Sequence, residues 1–175
     1  MGSSVQIRPP RPARRARPFG RAFYYPLGVR LLLLLALLPA CAGQGADPVL
    51  EALNRIRAEG RACGGVYHPA APPLAWDARL TAAARAHTED MAAHGFLGHV
   101  GTDGSTVRER VEREGYLWSA LGENVAYGPA QAEAALRAWA ESPGHCANLM
   151  DPRFVHAGLW GREGYWTLVL GRPGP

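Results

Sequence analysis

The sequence predicts a small α+β domain behind an N-terminal leader, and three observations carry that reading. Between residues 48 and 115, apolar residues recur at the three- and four-residue spacing of helices with one buried face. Extended segments with alternating apolar residues gather in the C-terminal half, at 116–127, 155–161 and 164–170. Ahead of both, Leu31–Leu38 reads LLLLLALL between Arg30 and Pro39, following a basic stretch and preceding small residues and Cys41. That order is the order of a secretory signal peptide, and eight apolar residues are too few for a bilayer span of about 20.

Residues 1–41 are read as leader and signal peptide, with no helical or strand periodicity in 1–28, and 42–47 as a short tether. The segment from Val29 onward makes a compact signal sequence by itself, which places the expected translation start near it. Asp47 and Pro48 suit the N-cap and first position of a helix whose apolar stripe is Val49, Leu50, Leu53 and Ile56, ended by Gly60 and Gly64-Gly65. Residues 66–75 are expected to be irregular, apart from an extended piece at Leu74-Ala75-Trp76. Asp77 caps a second helix running to Gly95, with Leu80, Ala84, His87 and Met91 on its buried face. After a glycine-rich loop at 96–104, Thr106 and Glu109 form a capping box for a third helix ending at Gly115. Residues 116–127 are extended, with Leu121, Val125 and Tyr127 pointing one way. A helix over Pro129–Glu141 follows, then a short one from Ser142-Pro143 to Met150, then a hairpin turning at Arg162-Glu163-Gly164. There are no internal repeats, and one core-bearing domain over 48–172 accounts for the chain beyond the leader.

Charge narrows the partners. Seven of the 19 basic residues, all arginine, precede Cys41, where there is no acid. The remainder has 12 arginines against 15 acids, a net of three negative charges, so the domain carries no nucleic-acid footprint. Leu38-Pro39-Ala40-Cys41 resembles a lipobox, so Cys41 is either lipidated, tying the protein to a membrane, or lost by ordinary cleavage just beyond it. Cys63 and Cys146 are an even pair in an oxidising compartment, read as a disulfide, with two buried thiols as the alternative.

His99, Glu123 and His145 stand out because each is a polar group set among glycines, in GFLGHVG, LGENVA and SPGH. Glu123 shares a strand face with Leu121 and Val125, and His145 lies in the first turn of a helix, whose positive end favours the neutral, metal-binding imidazole. The segments are too far apart for a local metal motif. His87 is expected to be a core histidine, Ser142 a helix cap, and Arg108, Arg110 and Arg113 with Glu109, Glu112 and Glu114 a solvated helix face.

The order of segments is more specific than any one of them. LxWDxRLTAAARAHTEDMAAHGFLGH, GTDGST, GENVAYG, WAESPGHCANLMDPRFVHAG and YWTLVLGRP, in this order over residues 48–172, resemble the bacterial branch of the CAP, or SCP-like, family. The resemblance implies an α-β-α sandwich around a small central antiparallel sheet. It also implies a cleft in which His99, Glu123 and His145 match the family histidines and glutamate. The family's second glutamate has only Glu141 as a candidate, one position out of register. On this reading the chain is an exported or secreted envelope protein, and a non-enzymatic binding module. Its cleft would take a divalent metal such as zinc through His99 and His145, with Glu123 as a further ligand, and a lipid, sterol-like, glycan or other cell-wall ligand. The alternative is a metal-assisted hydrolase with Glu123 as general base.

Overall fold

The computed structural model describes residues 47–175 and the three-residue strand β1 (Ser4–Gln6). The apolar run, Cys41 and the tether up to Ala46 lie outside the described residues. In chain order the elements are α1 (Pro48–Ala58), β2 (Arg61–Cys63), β3 (Val66–His68), β4 (Ala75–Trp76), α2 (Ala78–His94), α3 (Val107–Arg113), β5 (Trp118–Tyr127), α4 (Ala132–Glu141), α5 (Pro143–Met150), β6 (His156–Arg162) and β7 (Tyr165–Pro173).

The expected start and stop signals do their work. The Asp47 carboxylate accepts the free amides of Val49 (2.9 Å) and Leu50 (3.3 Å) at the head of α1. Asp77 does the same for Arg79 (2.9 Å) and Leu80 (3.4 Å) at α2, and Gly95 ends that helix in the left-handed region, φ 66°. Thr106 and Glu109 close the capping box of α3. Glu163 and Gly164, both at positive φ (52° and 83°), turn β6 into β7.

The sheet has the order β1-β5-β7-β6-β4. Its centre, β5-β7-β6, is antiparallel as expected, while the short outer strands β1 and β4 are parallel to β5 and β6. Two elements depart from the sequence reading. Ser4–Gln6 pairs along Val125–Tyr127, although the leader shows no strand pattern; a strand edge offers unpaired backbone groups, and three residues can use them without any side-chain periodicity. Val66–His68, within the stretch 66–75 expected to be irregular, pairs with Arg61–Cys63 in the hairpin β2-β3, with Gly64 and Gly65, expected to end the first helix, as its turn at φ 60° and 89°.

β7 divides the core. Leu168 and Leu170 face a cluster built from Leu53, Leu136, Trp139, Leu149 and Phe154, on the side of α1, α4 and α5. Val169 faces Leu80, Ala83, Ala84, Val111 and Tyr116, on the side of α2 and α3. The result is the expected α-β-α sandwich. α2 lies so close to β6 that a Cβ on Gly158 would stand 2.1 Å from the Thr81 amide nitrogen, so only glycine fits there. On the other side Arg57, fully buried in α1, donates to the carbonyls of Pro72, Leu149, Asp151 and Phe154. It thereby satisfies orphan carbonyls at the end of α5.

Cys63 and Cys146 are bridged, with Cα atoms 5.5 Å apart, and they pack with Met150 and Ile56. The bridge fastens the β2-β3 hairpin to the first turns of α5, the helix that carries His145. Replacing both cysteines by serine should lower the stability by about 2–4 kcal/mol. Urea unfolding of the two proteins checks this; equal midpoints and slopes would show that the bridge adds nothing.

Candidate functional site

The cleft is assembled at the outer side of β5. Among the described residues, no strand pairs with this edge alongside Glu123, so loops and helices close over it instead. From one side comes the loop after α2. Its backbone turns on Gly101 and Gly104, and Asp90 on α2 pins it by accepting from the Thr102 amide (2.8 Å) and hydroxyl (2.6 Å). His99 sits at the head of this loop. From the other side comes α5, with His145 in its first turn. Asn124 Nδ2 donates to the His145 carbonyl (3.2 Å), and Asn148 Nδ2 donates to the Asn124 side chain (2.9 Å) and the Glu123 carbonyl (3.3 Å). These amides stitch α5 to β5. His99, Val100, Thr106, Val107, Leu121, Gly122, Glu123 and Asn148 line a cavity of about 180 Å³.

Glu123 is 4% exposed, and both its oxygens are taken. His99 Nδ1 donates to Oε1 at 2.8 Å, and Arg110 Nη2 donates to Oε2 at 2.7 Å. Burial by itself pushes the carboxyl up, but the His99 hydrogen bond and the Arg110 charge more than offset it and hold it below the usual carboxylate range. Arg110 is also buried, so the expectation of a solvated arginine face on α3 fails at this residue. The reason is visible in the helix. Val107 and Val111 pack α3 onto the domain, and Arg110, one turn after Val107 and next to Val111, is carried to the buried side with them. Arg108 and Arg113 do remain exposed, paired with Glu112 and Asp103.

The two histidines share one pattern. His99 spends Nδ1 on Glu123, and His145, fully buried, has Nδ1 2.9 Å from Ser142 Oγ. The Nε2 atom of each is buried without a partner. Burial pushes the His145 imidazole down to about 4, with the neighbouring His99 adding to the effect. Ser142 holds the N-cap position of α5, but its hydroxyl meets His145 and makes no capping bond to the helix backbone. His87 behaves as the core histidine expected: it is 1% exposed, and its Nε2 lies 2.8 Å from the Gly98 carbonyl, under the loop.

Other expectations change. Glu141, the candidate second glutamate, is exposed at the end of α4 and does not line the cavity. His145 is not among the cavity-lining residues either; it precedes the lining residue Asn148 by one turn of the same helix. Among the described residues, no three His, Cys, Asp or Glu groups come together as a metal cluster. Glu123 accepts from Arg110 as well as from His99, so both of its oxygens are engaged. Sequence reading missed Arg110, Asn124 and Asn148. Val107 and Val111 bracket Arg108 and Glu109 as well as Arg110, so the sequence has no local signal that singles out the first.

The buried neutral His145 ties stability to pH. Its ordinary value is 6.5 and its folded value about 4, so the unfolded chain binds the extra proton between these limits. Its contribution is complete above about pH 6.5 and is lost as pH falls towards 4, at about 1.4 kcal/mol per pH unit in the middle of that window. Chemical denaturation of chelator-treated protein from pH 7 to pH 4.5 should show this slope. In His145→Gln that part of the slope should vanish, and an unchanged slope would remove His145 as its source.

Comparisons with known proteins agree with the architecture. The family model "CAP: Cysteine-rich secretory protein family" matches residues 50–160. The uncharacterized membrane protein YlbC of Bacillus subtilis is 30% identical over 94 residues, covering 54% of this chain and 27% of that protein. The uncharacterized protein YkwD of the same organism is 31% identical over 87 residues, covering 50% and 34%. The chain thus spans about a third or less of these curated relatives. An extracellular SCP-domain protein of Bacillus anthracis superposes with a TM-score of 0.57 at 29% identity, over 58% of this chain and 34% of that one. An outer surface protein of Borrelia burgdorferi gives 0.54 at 17% identity over 59% and 80%, a likeness of fold alone. With a family match over most of the described domain, and with the sandwich and disulfide in place, the chain belongs to the CAP, or cysteine-rich secretory protein, family.

Proposed function

We propose that this chain is an exported envelope protein whose CAP domain is a binding module, and that its cleft takes a divalent cation through His99 and His145. The observation that carries the cation is the pair of buried, unpartnered Nε2 atoms, each on a ring whose other nitrogen is already tied. A histidine that ligates a metal commonly donates its second N–H to a carboxylate, and His99 and Glu123 have that arrangement. Two imidazole donors fit zinc or a similar ion, which would present its remaining positions to an oxygen or nitrogen of an incoming ligand.

The cavity, about 180 Å³, is smaller than the roughly 300–1,000 Å³ of drug-sized ligand sites, which favours a small polar group of a cell-wall component over a lipid or sterol. Export is supported by the leader, by the disulfide, and by the extracellular and outer-surface descriptions of the structural relatives. No helix among the described residues is long and apolar enough to cross a membrane. The lipobox-like sequence before Cys41 makes lipidation there the proposed anchor. The hydrolase alternative needs Glu123 as a general base. Its engaged oxygens and lowered carboxyl work against that role.

Calorimetric titration of the purified protein with Zn²⁺ should show one site. His99→Ala or His145→Ala should weaken it at least tenfold, and the double variant should abolish it while still unfolding cooperatively. Undiminished binding in the double variant would end the cation reading. Separately, Cys41→Ser should move the protein from the membrane to the soluble fraction of fractionated cells; continued membrane association would count against the lipid anchor.

A further inference from the structure

The cleft contains one buried ion pair whose role goes beyond holding the fold. Arg110 is fixed from three directions: Nη1 donates to the Ser105 carbonyl at 2.6 Å, and Nη2 to the His99 carbonyl at 3.1 Å and to Glu123 Oε2 at 2.7 Å. The guanidinium therefore holds His99 twice, directly by its backbone and indirectly through the carboxylate that orients its ring. Both side chains of the pair are 4% exposed or less, so water does not compete for the carboxylate. The anchoring backbone carbonyls keep the guanidinium from swinging away with a departing Glu123.

We propose that Arg110 is a positioning residue that sets the number of ligands in the cleft: it holds Glu123 as the carboxylate that orients His99 and withholds it from the cation. This rests on the two-histidine reading above. A carboxylate with one oxygen on His99 and the other on a fixed guanidinium has no lone pair directed to the cavity at low cost. Taking the guanidinium away leaves a buried carboxylate in need of a cation, and a divalent ion between the histidines is the available substitute. Arg110 then makes metal binding weaker and more exchangeable than the same side chains could support. That suits a site that releases its ligand over a site that stores a structural ion.

The test is Zn²⁺ titration and Co²⁺ absorption of the full chain in four forms: wild type, Arg110→Gln, Arg110→Met, and Arg110→Met with Glu123→Gln. The glutamine variant removes the charge but keeps one amide donor, and serves if the methionine variant does not fold. Removing Arg110 should tighten Zn²⁺ at least tenfold and change the Co²⁺ spectrum as a carboxylate joins the ligands. The combined variant should lose that gain. Wild-type affinity and spectrum in a folded Arg110 variant, or a gain that persists without Glu123, would show that Arg110 only supports the fold. The two ideas fail separately. A wild type that binds no Zn²⁺ ends the two-histidine reading. Uptake appearing only in the Arg110 variants would still sustain the role of Arg110, and no uptake in any form would end both.

Discussion

The constraint on which this site depends is a carboxylate buried under a loop. Glu123 lies on a strand face that also carries Leu121, and only 4% of it is exposed. An unpaired charge at such a position would cost several kcal/mol or would take up a proton. The structure meets the cost with two donors from two different elements, Arg110 on α3 and His99 in the loop after α2. One carboxylate thus links a helix and a loop, and it sets Nδ1 as the nitrogen of His99 that donates. His87, hydrogen-bonded to Gly98 beneath the same loop, supports it from the core side.

The second half of the cleft is held by different means. α5 carries His145, and its position follows from covalent and backbone anchors. The Cys63–Cys146 bridge ties its first turns to the β2-β3 hairpin. Arg57 collects carbonyls at its far end, and Asn124 and Asn148 hold its side to β5. A carboxylate–guanidinium pair positions one histidine, while a disulfide, side-chain amides and an arginine on backbone carbonyls position the other. The difference fits their electrostatics: His145 is fully buried and is kept neutral by that burial, while His99 sits beside a carboxylate and is partly open to the cavity. Two imidazoles with unpartnered Nε2 atoms thus stand in unequal surroundings.

Local signals in the chain were legible wherever a residue acts on its own neighbours. Asp47, Asp77 and the Thr106–Glu109 box act on amides two or three positions away, and each helix starts where they stand. Glu163-Gly164 turns the hairpin, and Leu80, Ala84, His87 and Met91 face the core as their spacing requires. The β2-β3 hairpin was harder to read because three-residue strands are too short to establish an alternation, and prolines follow them immediately.

What the sequence by itself determined is the set of elements, their polarity and the three glycine-framed residues, because capping, periodicity and turn geometry are short-range. The family resemblance added the sandwich and the meeting of His99, Glu123 and His145 near one strand edge. Only the tertiary structure decided what each of them does there. Nothing near Glu123 in the chain says that an arginine 13 residues earlier will take one of its oxygens, and nothing near Arg110 distinguishes it from the solvated arginines beside it. The same holds for Glu141, whose place at the end of α4 leaves it outside the cavity. Pairing between buried charges depends on which faces meet when helices, loops and strands pack, and local sequence carries no record of that choice.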